Sequence, residues 1–173
     1  EANFRLDSSG MWAAATPAAV ISATSAAVPV AYKRFEEDAK KGFITWFGKG
    51  IVSELRLDIY RGDYVANEWE HIHTSSNLGG ATGSSWAYMQ YNIASLVDRV
   101  DVFSGMVLGI AWRVVGAGTH EVAGIPWNTP GATIHPQRPV SVRTGVGDLA
   151  FGSTVYTPTA MPWFGIGIIT GDV

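Results

Sequence analysis

The chain has 173 residues, enough for one domain and short for two, with 47% hydrophobic and only 16% charged residues, where an average soluble domain carries about 25% charged. That apolar content excludes a chain disordered throughout, and a net charge of −3 supplies no strong field for nucleic acid or an anionic membrane. Cysteine is absent, which excludes disulfides, thiolate zinc sites and a cysteine nucleophile and fits a reducing compartment.

Low charge combined with seven Trp, six Tyr and seven Phe suits a chain that buries faces against neighbours, because interface cores lose charge and gain aromatics. A compact monomer with an aromatic core has the same composition.

In chain order, residues 1–31 are rich in Ala, Ser, Thr and Pro, with Phe4, Leu6, Met11 and Trp12 as apolar anchors. They read as an extended N-terminal arm, the bland alternative being an unstructured terminus. Residues 12–31 reach the roughly 20 residues of a membrane helix. Pro17, Pro29 and several Ser and Thr interrupt them, and no basic stretch precedes them as a signal peptide requires, so no membrane span is expected, a membrane-active arm being the minority alternative. Residues 32–41, YKRFEEDAKK, predict a short helix ended by Gly42. Its basic pairs Lys33-Arg34 and Lys40-Lys41 flank Glu36, Glu37 and Asp38, a pattern of solvated surface rather than a phosphate site.

Strands and turns follow. FITWF at 43–47 is a β-branched and aromatic run, and 51–60 (IVSELRLDIY) alternates Leu55, Leu57 and Ile59 against Arg56 and Asp58. Residues 61–85 read as a loop ending in the Gly/Ser stretch SSNLGGATGSS. Residues 86–96 suit a strand or a short helix. Residues 100–115 predict a strand pair or one bent strand, with Gly105 and Gly109 allowing bending or close approach. A turn at 116–119, a strand at 122–127, a turn at 128–131 and strands at 138–144, 151–156 and 164–170 complete the chain. Short strands at regular spacing with turn signals between them predict an all-β sandwich or barrel, and 20 Gly and eight Pro oppose a helical bundle. The expected division is an arm over 1–31 and one β-sandwich domain over 32–173.

Candidate chemistry is sparse. Of His71, His73, His120 and His135, the pair His71-Ile72-His73 suits a metal if both imidazoles share one strand face, with Glu68 and Glu70 beside them. A cupin-like site would continue with a carboxylate, and Thr74-Ser75-Ser76-Asn77 stands there instead. No Gly-x-Ser-x-Gly elbow and no recognisable glycosidase carboxylate pair is present. Gly116-Ala117-Gly118 leads into Thr119-His120-Glu121 rather than a helix-opening glycine, which argues against phosphate cradling. Arg61-Gly62-Asp63 is expected in a loop after a strand. As an integrin-type tripeptide it is a weak signal, and a strand-ending turn with Gly at the tight position is the plainer reading. No catalytic, cofactor-binding or metal-ligating residue is assigned, and neither a cofactor nor an enzymatic activity is expected.

One stretch resembles a family. Residues 91–131, YNIASLVDRVDVFSGMVLGIAWRVVGAGTHEVAGIPWNTPG, resemble picornavirus-like capsid proteins. Val102-Phe103-Ser104-Gly105 and then Met106 to Val115 are similar to the long strand in the middle of their jelly roll. Glu121 to Pro126 and Asn128-Thr129-Pro130-Gly131 resemble the next strand and its Pro/Gly exit, with Thr129-Pro130 in place of a proline pair. Phe164 to Asp172 looks like the last strand of such a subunit. The resemblance implies an eight-stranded antiparallel jelly-roll β-sandwich with an N-terminal arm, released from a polyprotein, as the start at Glu1 rather than Met also suggests. It implies assembly with other capsid subunits into an icosahedral shell in the host cytoplasm, with RNA at the inner surface and a receptor outside. The short chain matches a small subunit of a plant or invertebrate virus. Two rival readings stand beside it. A carbohydrate-binding or pore-forming β-sandwich would use Trp69, Trp86 and Trp127. A cupin-like metal enzyme would use His71 and His73.

Overall fold

The computed structural model describes residues 17, 19–35, 38–63, 68–93, 100–126, 140–143 and 160–167. These form the strands β1 (Ala19–Ala23), β2 (Val28–Arg34), β3 (Ala39–Lys41), β4 (Phe43–Lys49), β5 (Glu54–Asp63), β6 (Glu68–Thr74), β7 (Ala87–Asn92), β8 (Val100–Val102), β9 (Val107–Val115), β10 (His120–Pro126), β11 (Val140–Arg143), β12 (Ala160–Pro162) and β13 (Phe164–Gly167). Among the described residues the helical content is a single 3-10 turn, Gly79–Ala81. The chain is all-β, with two main antiparallel sheets packed as a sandwich.

Sheet A contains β1, β10, β4 and β7 with β12 and β13, sheet B runs β11-β2-β9-β5-β6, and β3 pairs with β8 as a separate ribbon. Four pairings define the path: β1 with β10, β2 with β9, β4 with β7 and β5 with β6. The first half of the chain is thereby matched against the second half in reverse order, as the rungs of one long hairpin whose tip is the β5–β6 connection. Two further pairings, β10 with β4 and β9 with β5, close this ribbon into two sheets.

The core between the sheets follows from period-two alternation. Ala23, Ile44, Trp46, Met89, Val122, Phe164 and Ile166 point inward from sheet A, and Ala31, Leu55, Leu57, Ile59, Leu108, Ile110, Trp112 and Val114 from sheet B. β4 and β10 pair directly only at Lys49↔Glu121 and Gly48↔Val122. Beyond that point they diverge, and residues 160–167 enter the gap as a V. β12 runs along β10 up to Pro162↔Gly124, and β13 returns along β4 from Phe164↔Trp46. Trp163 is the apex, its backbone N–H donating to Ala123 O at 2.7 Å.

Several sequence expectations need correction. The helix over 32–41 is absent where the structure describes it: Val28–Arg34 and Ala39–Lys41 are strands. Val30 and Tyr32 face one side of sheet B and Ala31 the other, so two-residue alternation outweighs the charge pattern that suggested a helix turn. Within the stretch expected as an arm, Ala19–Ala23 pairs with β10 and Val28–Ala31 lies inside β2. Residues 61–85 are not one loop. β5 continues to Asp63 and β6 occupies Glu68–Thr74. The strand most like the middle of the family's fold, β9, pairs early β2 and β5, while Phe164–Gly167 is part of the V rather than the strand that closes the hairpin. The strand expected at 151–156 and the turn at 128–131 lie outside the described residues.

Candidate functional site

Among the described residues no group of three or more His, Asp or Glu is placed to hold a metal. The candidate surfaces are the outer faces of the two sheets.

On sheet A, β4 points Phe43, Thr45, Phe47 and Lys49 away from the core. Phe47 pairs in register with Tyr88 of β7, and their rings lie 4.8 Å apart. Trp86 stacks on Phe47 at 5.4 Å and 24°. Lys49 Nζ sits 5.2 Å from the Trp86 ring centroid, within cation–π range. Tyr88 meets the Trp163 ring edge-on at 5.9 Å. The result is a continuous aromatic strip, Trp86–Phe47–Tyr88–Trp163, whose outermost ring, Tyr88, is 54% exposed. Val20, on the outer side of β1 at the opposite edge, is 44% exposed. The half-buried Lys49–Glu121 ion pair at 3.0 Å spans the β4–β10 seam on this same face.

Sheet B carries a different outer face. Asp58 is fully buried, and its carboxylate accepts from Arg113 Nε at 2.7 Å and Nη2 at 3.0 Å and from Thr74 Oγ1 at 2.7 Å. Burial alone would raise the Asp58 pKa, but the bonds from Arg113 and Thr74 outweigh it and hold the carboxyl below its ordinary value. The Thr74 proton is committed to Asp58, so its oxygen accepts from His71 Nε2 at 2.9 Å. Trp69 lies over Gly62, where an added Cβ would stand 2.6 Å from the indole, and Tyr32 packs against Trp69 at 5.0 Å.

The predicted residues divide accordingly. β5 and β6 change register between Ile59 and Tyr60: Ile59 pairs with His73 and Tyr60 with His71, leaving Ile72 as an extra bulged residue. His73 therefore lies on the core side with Ile59, its Nε2 2.8 Å from the Tyr91 hydroxyl, and His71 lies on the outer side over the Tyr60 ring at 5.1 Å. The bulge separates the two imidazoles that a cupin-like metal site needs on one face. Arg61-Gly62-Asp63 is inside β5 rather than in a loop. Arg61 is ion-paired to Glu70 at 2.6 Å, and Gly62 is buried because the Trp69 ring occupies the space of a side chain. Neither an exposed tripeptide nor a turn describes it. Trp86 lies on the aromatic strip, Trp69 is half-buried, and Trp127 and His135 lie outside the described residues. Gly116 and Gly118 have φ of 83° and 109° and form the β9–β10 turn. No helix among the described residues is long and apolar enough to cross a membrane.

Two functional candidates escaped the sequence reading. Asp58 was visible only as the polar half of an alternating strand, and Arg113 as one charge in an apolar one. Two outward charges on strands that later prove adjacent are the only signal, and it requires the pairing to be known.

No family model and no curated protein matches this chain. Among solved structures, a chain in "Structure of infectious bursal disease virus Gx strain" is similar to it with 17% identity and a TM-score of 0.29, over 86% of this chain and 36% of that one. This chain thus spans about a third of that protein, and a likeness at this level decides nothing about its function.

Proposed function

We propose that this chain is a structural subunit that assembles with other subunits into a shell, as the jelly-roll proteins of picornavirus-like capsids do, and that it performs no catalysis. The observation that carries the reading is the strand order. Numbered along the chain, the eight strands β1, β2, β4, β5, β6, β7, β9 and β10 pair first with last, second with seventh, third with sixth and fourth with fifth. This order supports reading the sandwich as a hairpin wrapped into two four-stranded sheets, as in a jelly roll, with β11 and the β12–β13 V as additions. Jelly rolls serve as capsid subunits, lectins and cupins, so the fold alone does not choose among them. Against the cupin stands the bulge that parts His71 from His73. In favour of assembly stands the aromatic strip with exposed Tyr88 at one edge of sheet A and Val20 at the other, on a chain poor in charge. Companion subunits, RNA on the inner surface and a virion location belong to the same proposal.

The deciding experiment is negative-stain microscopy with mass determination on natively purified protein, alone and co-expressed with companion shell subunits. Shells of uniform diameter containing the chain are expected. A monodisperse monomer or small oligomer under every assembly condition would overturn the reading. The exposed strip favours a second reading, glycan stacking on Tyr88 and Trp86, and glycan-array binding by such a small oligomer would establish it.

A further inference from the structure

The β4–β10 seam is the narrowest join in sheet A, two residue pairs long before the V-shaped insertion parts the strands. It is fastened on the outer face by the Lys49–Glu121 ion pair and on the inner face by His120. The His120 ring is fully buried. Its Nε2 accepts a hydrogen bond from the Trp46 indole Nε1–H at 3.0 Å, which fixes the proton of the neutral ring on Nδ1. Nδ1 has no partner among the described residues. Gly48 passes directly under the ring, where a Cβ would stand 2.8 Å from Nε2, so backbone and imidazole are packed without slack.

We infer that His120 is an acid-sensitive latch: a proton on Nε2 replaces the Trp46–His120 bond by two opposed N–H donors and opens sheet A at the β4–β10 seam. The proton comes from solvent, no covalent bond is broken, and the pairing lost is that of Gly48 and Lys49 with Val122 and Glu121. Among the described residues the added charge is compensated only in part, by Glu121. Glu121, the next residue, is turned to the other face and bound to Lys49. Ala23 of β1, in register with His120, is apolar. Across the core, the inward side chains at this end of sheet B are Leu55, Leu57, Trp112 and Val114. The ionisable groups of the same parity, Lys33, Arg61 and His73, pair toward the middle and the far end of that sheet.

The linkage sign is definite. Desolvation lowers the pKa of the closed ring to about 4, against the ordinary 6.5 of an open one, and nearby Glu121 offsets this only in part. Protons therefore favour the open seam below pH 6.5, increasingly until about pH 4, and not further below it.

The test is amide hydrogen exchange with NMR detection on the wild type and His120→Gln, whose side-chain oxygen can accept from Trp46 but takes no proton in this range. Between pH 7 and about 4.5 the seam-opening equilibrium of the wild type should rise by about fiftyfold relative to the variant. The rise should be confined to Gly48, Lys49 and Val122 and be absent from the β5–β9 ladder. Equal acceleration in both proteins, or acceleration spread over both sheets, would overturn the latch. If the variant does not fold, titration of the wild-type ring decides. A depressed ring pKa with a simultaneous shift of the Trp46 indole N–H signal supports it, and a ring titrating at its ordinary value with that signal unmoved sinks it.

Discussion

At the scale of single residues, the outer face of sheet B is held by two arrangements that tolerate substitution badly. Gly62 exists for Trp69. Gly62→Ala forces the indole off the sheet, and overpacking of this kind costs about 1–3 kcal/mol. The urea midpoint should fall accordingly with the m-value unchanged, and a midpoint equal to wild type would show that Trp69 moves freely. Asp58→Ala leaves Arg113 without its bidentate partner on a largely buried site, where breaking one side of such a pair costs about 3–5 kcal/mol. The pair also sets an acid limit. Because the Asp58 carboxyl sits below its ordinary 3.8 in the folded chain, its contribution is fully present above pH 3.8 and is lost as pH falls below that value. Thermal melts of wild type and Asp58→Asn should differ at neutral pH and converge toward pH 2. A constant difference would mean that the carboxylate is not what the fold relies on. The sequence displayed these residues without their meaning. Gly62 read as part of a tripeptide or a turn, because the indole that explains it belongs to the neighbouring strand.

At the scale of elements, alternation was legible in β5, which has one apolar side, while β4 and β9 were legible as runs apolar on both sides. It failed in β6, where Glu68–Thr74 (EWEHIHT) has polar residues on both sides and resembles a loop, and where the bulge at Ile72 breaks the parity that would put His71 and His73 together. No count along a single strand reveals a bulge, since it is a property of the pair. Deleting Ile72 leaves His73 opposite Ile59 and His71 opposite Tyr60 in uniform register, so Trp69 and His71 keep the outer face and only the packing of Ile72 against the core is lost. Loss of that half-buried side chain, about 1–2 kcal/mol, should lower the melting temperature by about 2–8 °C, at roughly 2–4 °C per kcal/mol for a domain of this size. Calorimetry is the direct check, and a melt equal to wild type would show that Ile72 contributes nothing to the core. The helix expected at 32–41 failed for the opposite reason. Its charges suggested a solvated turn, while the residues that make β2 a strand, Val28, Val30 and Tyr32, straddle the boundary at which the helix was drawn.

At the scale of the whole molecule, the all-β class was readable from strand spacing and from Gly and Pro content. The wrapping order was not, because it consists of pairings up to about a hundred residues apart, such as Ala19 with Gly124. Assembly is the property to test at this scale. Tyr88→Arg adds charge at the most exposed ring of the aromatic strip, at a surface position where substitutions usually change stability by less than about 0.5 kcal/mol. It should leave the melt unchanged and abolish shell formation in the microscopy assay. Normal shells from this variant would move the subunit contact elsewhere.

The V formed by residues 160–167 also bears on how the chain is made. Every strand of the β2-β9-β5-β6 array has left the ribosome once Val115 has emerged, so that layer lacks only its edge strand β11 early. The opposite layer has a slot between β10 and β4 that only Ala160–Gly167 fills. Until some fifty further residues are synthesised, the nascent chain holds one apolar layer whose partner is open down its middle. Completion of the sandwich is thus coupled to late synthesis, and a ribosome-stalled chain ending before residue 160 should bind trigger-type chaperones or hydrophobic dyes that the finished chain does not.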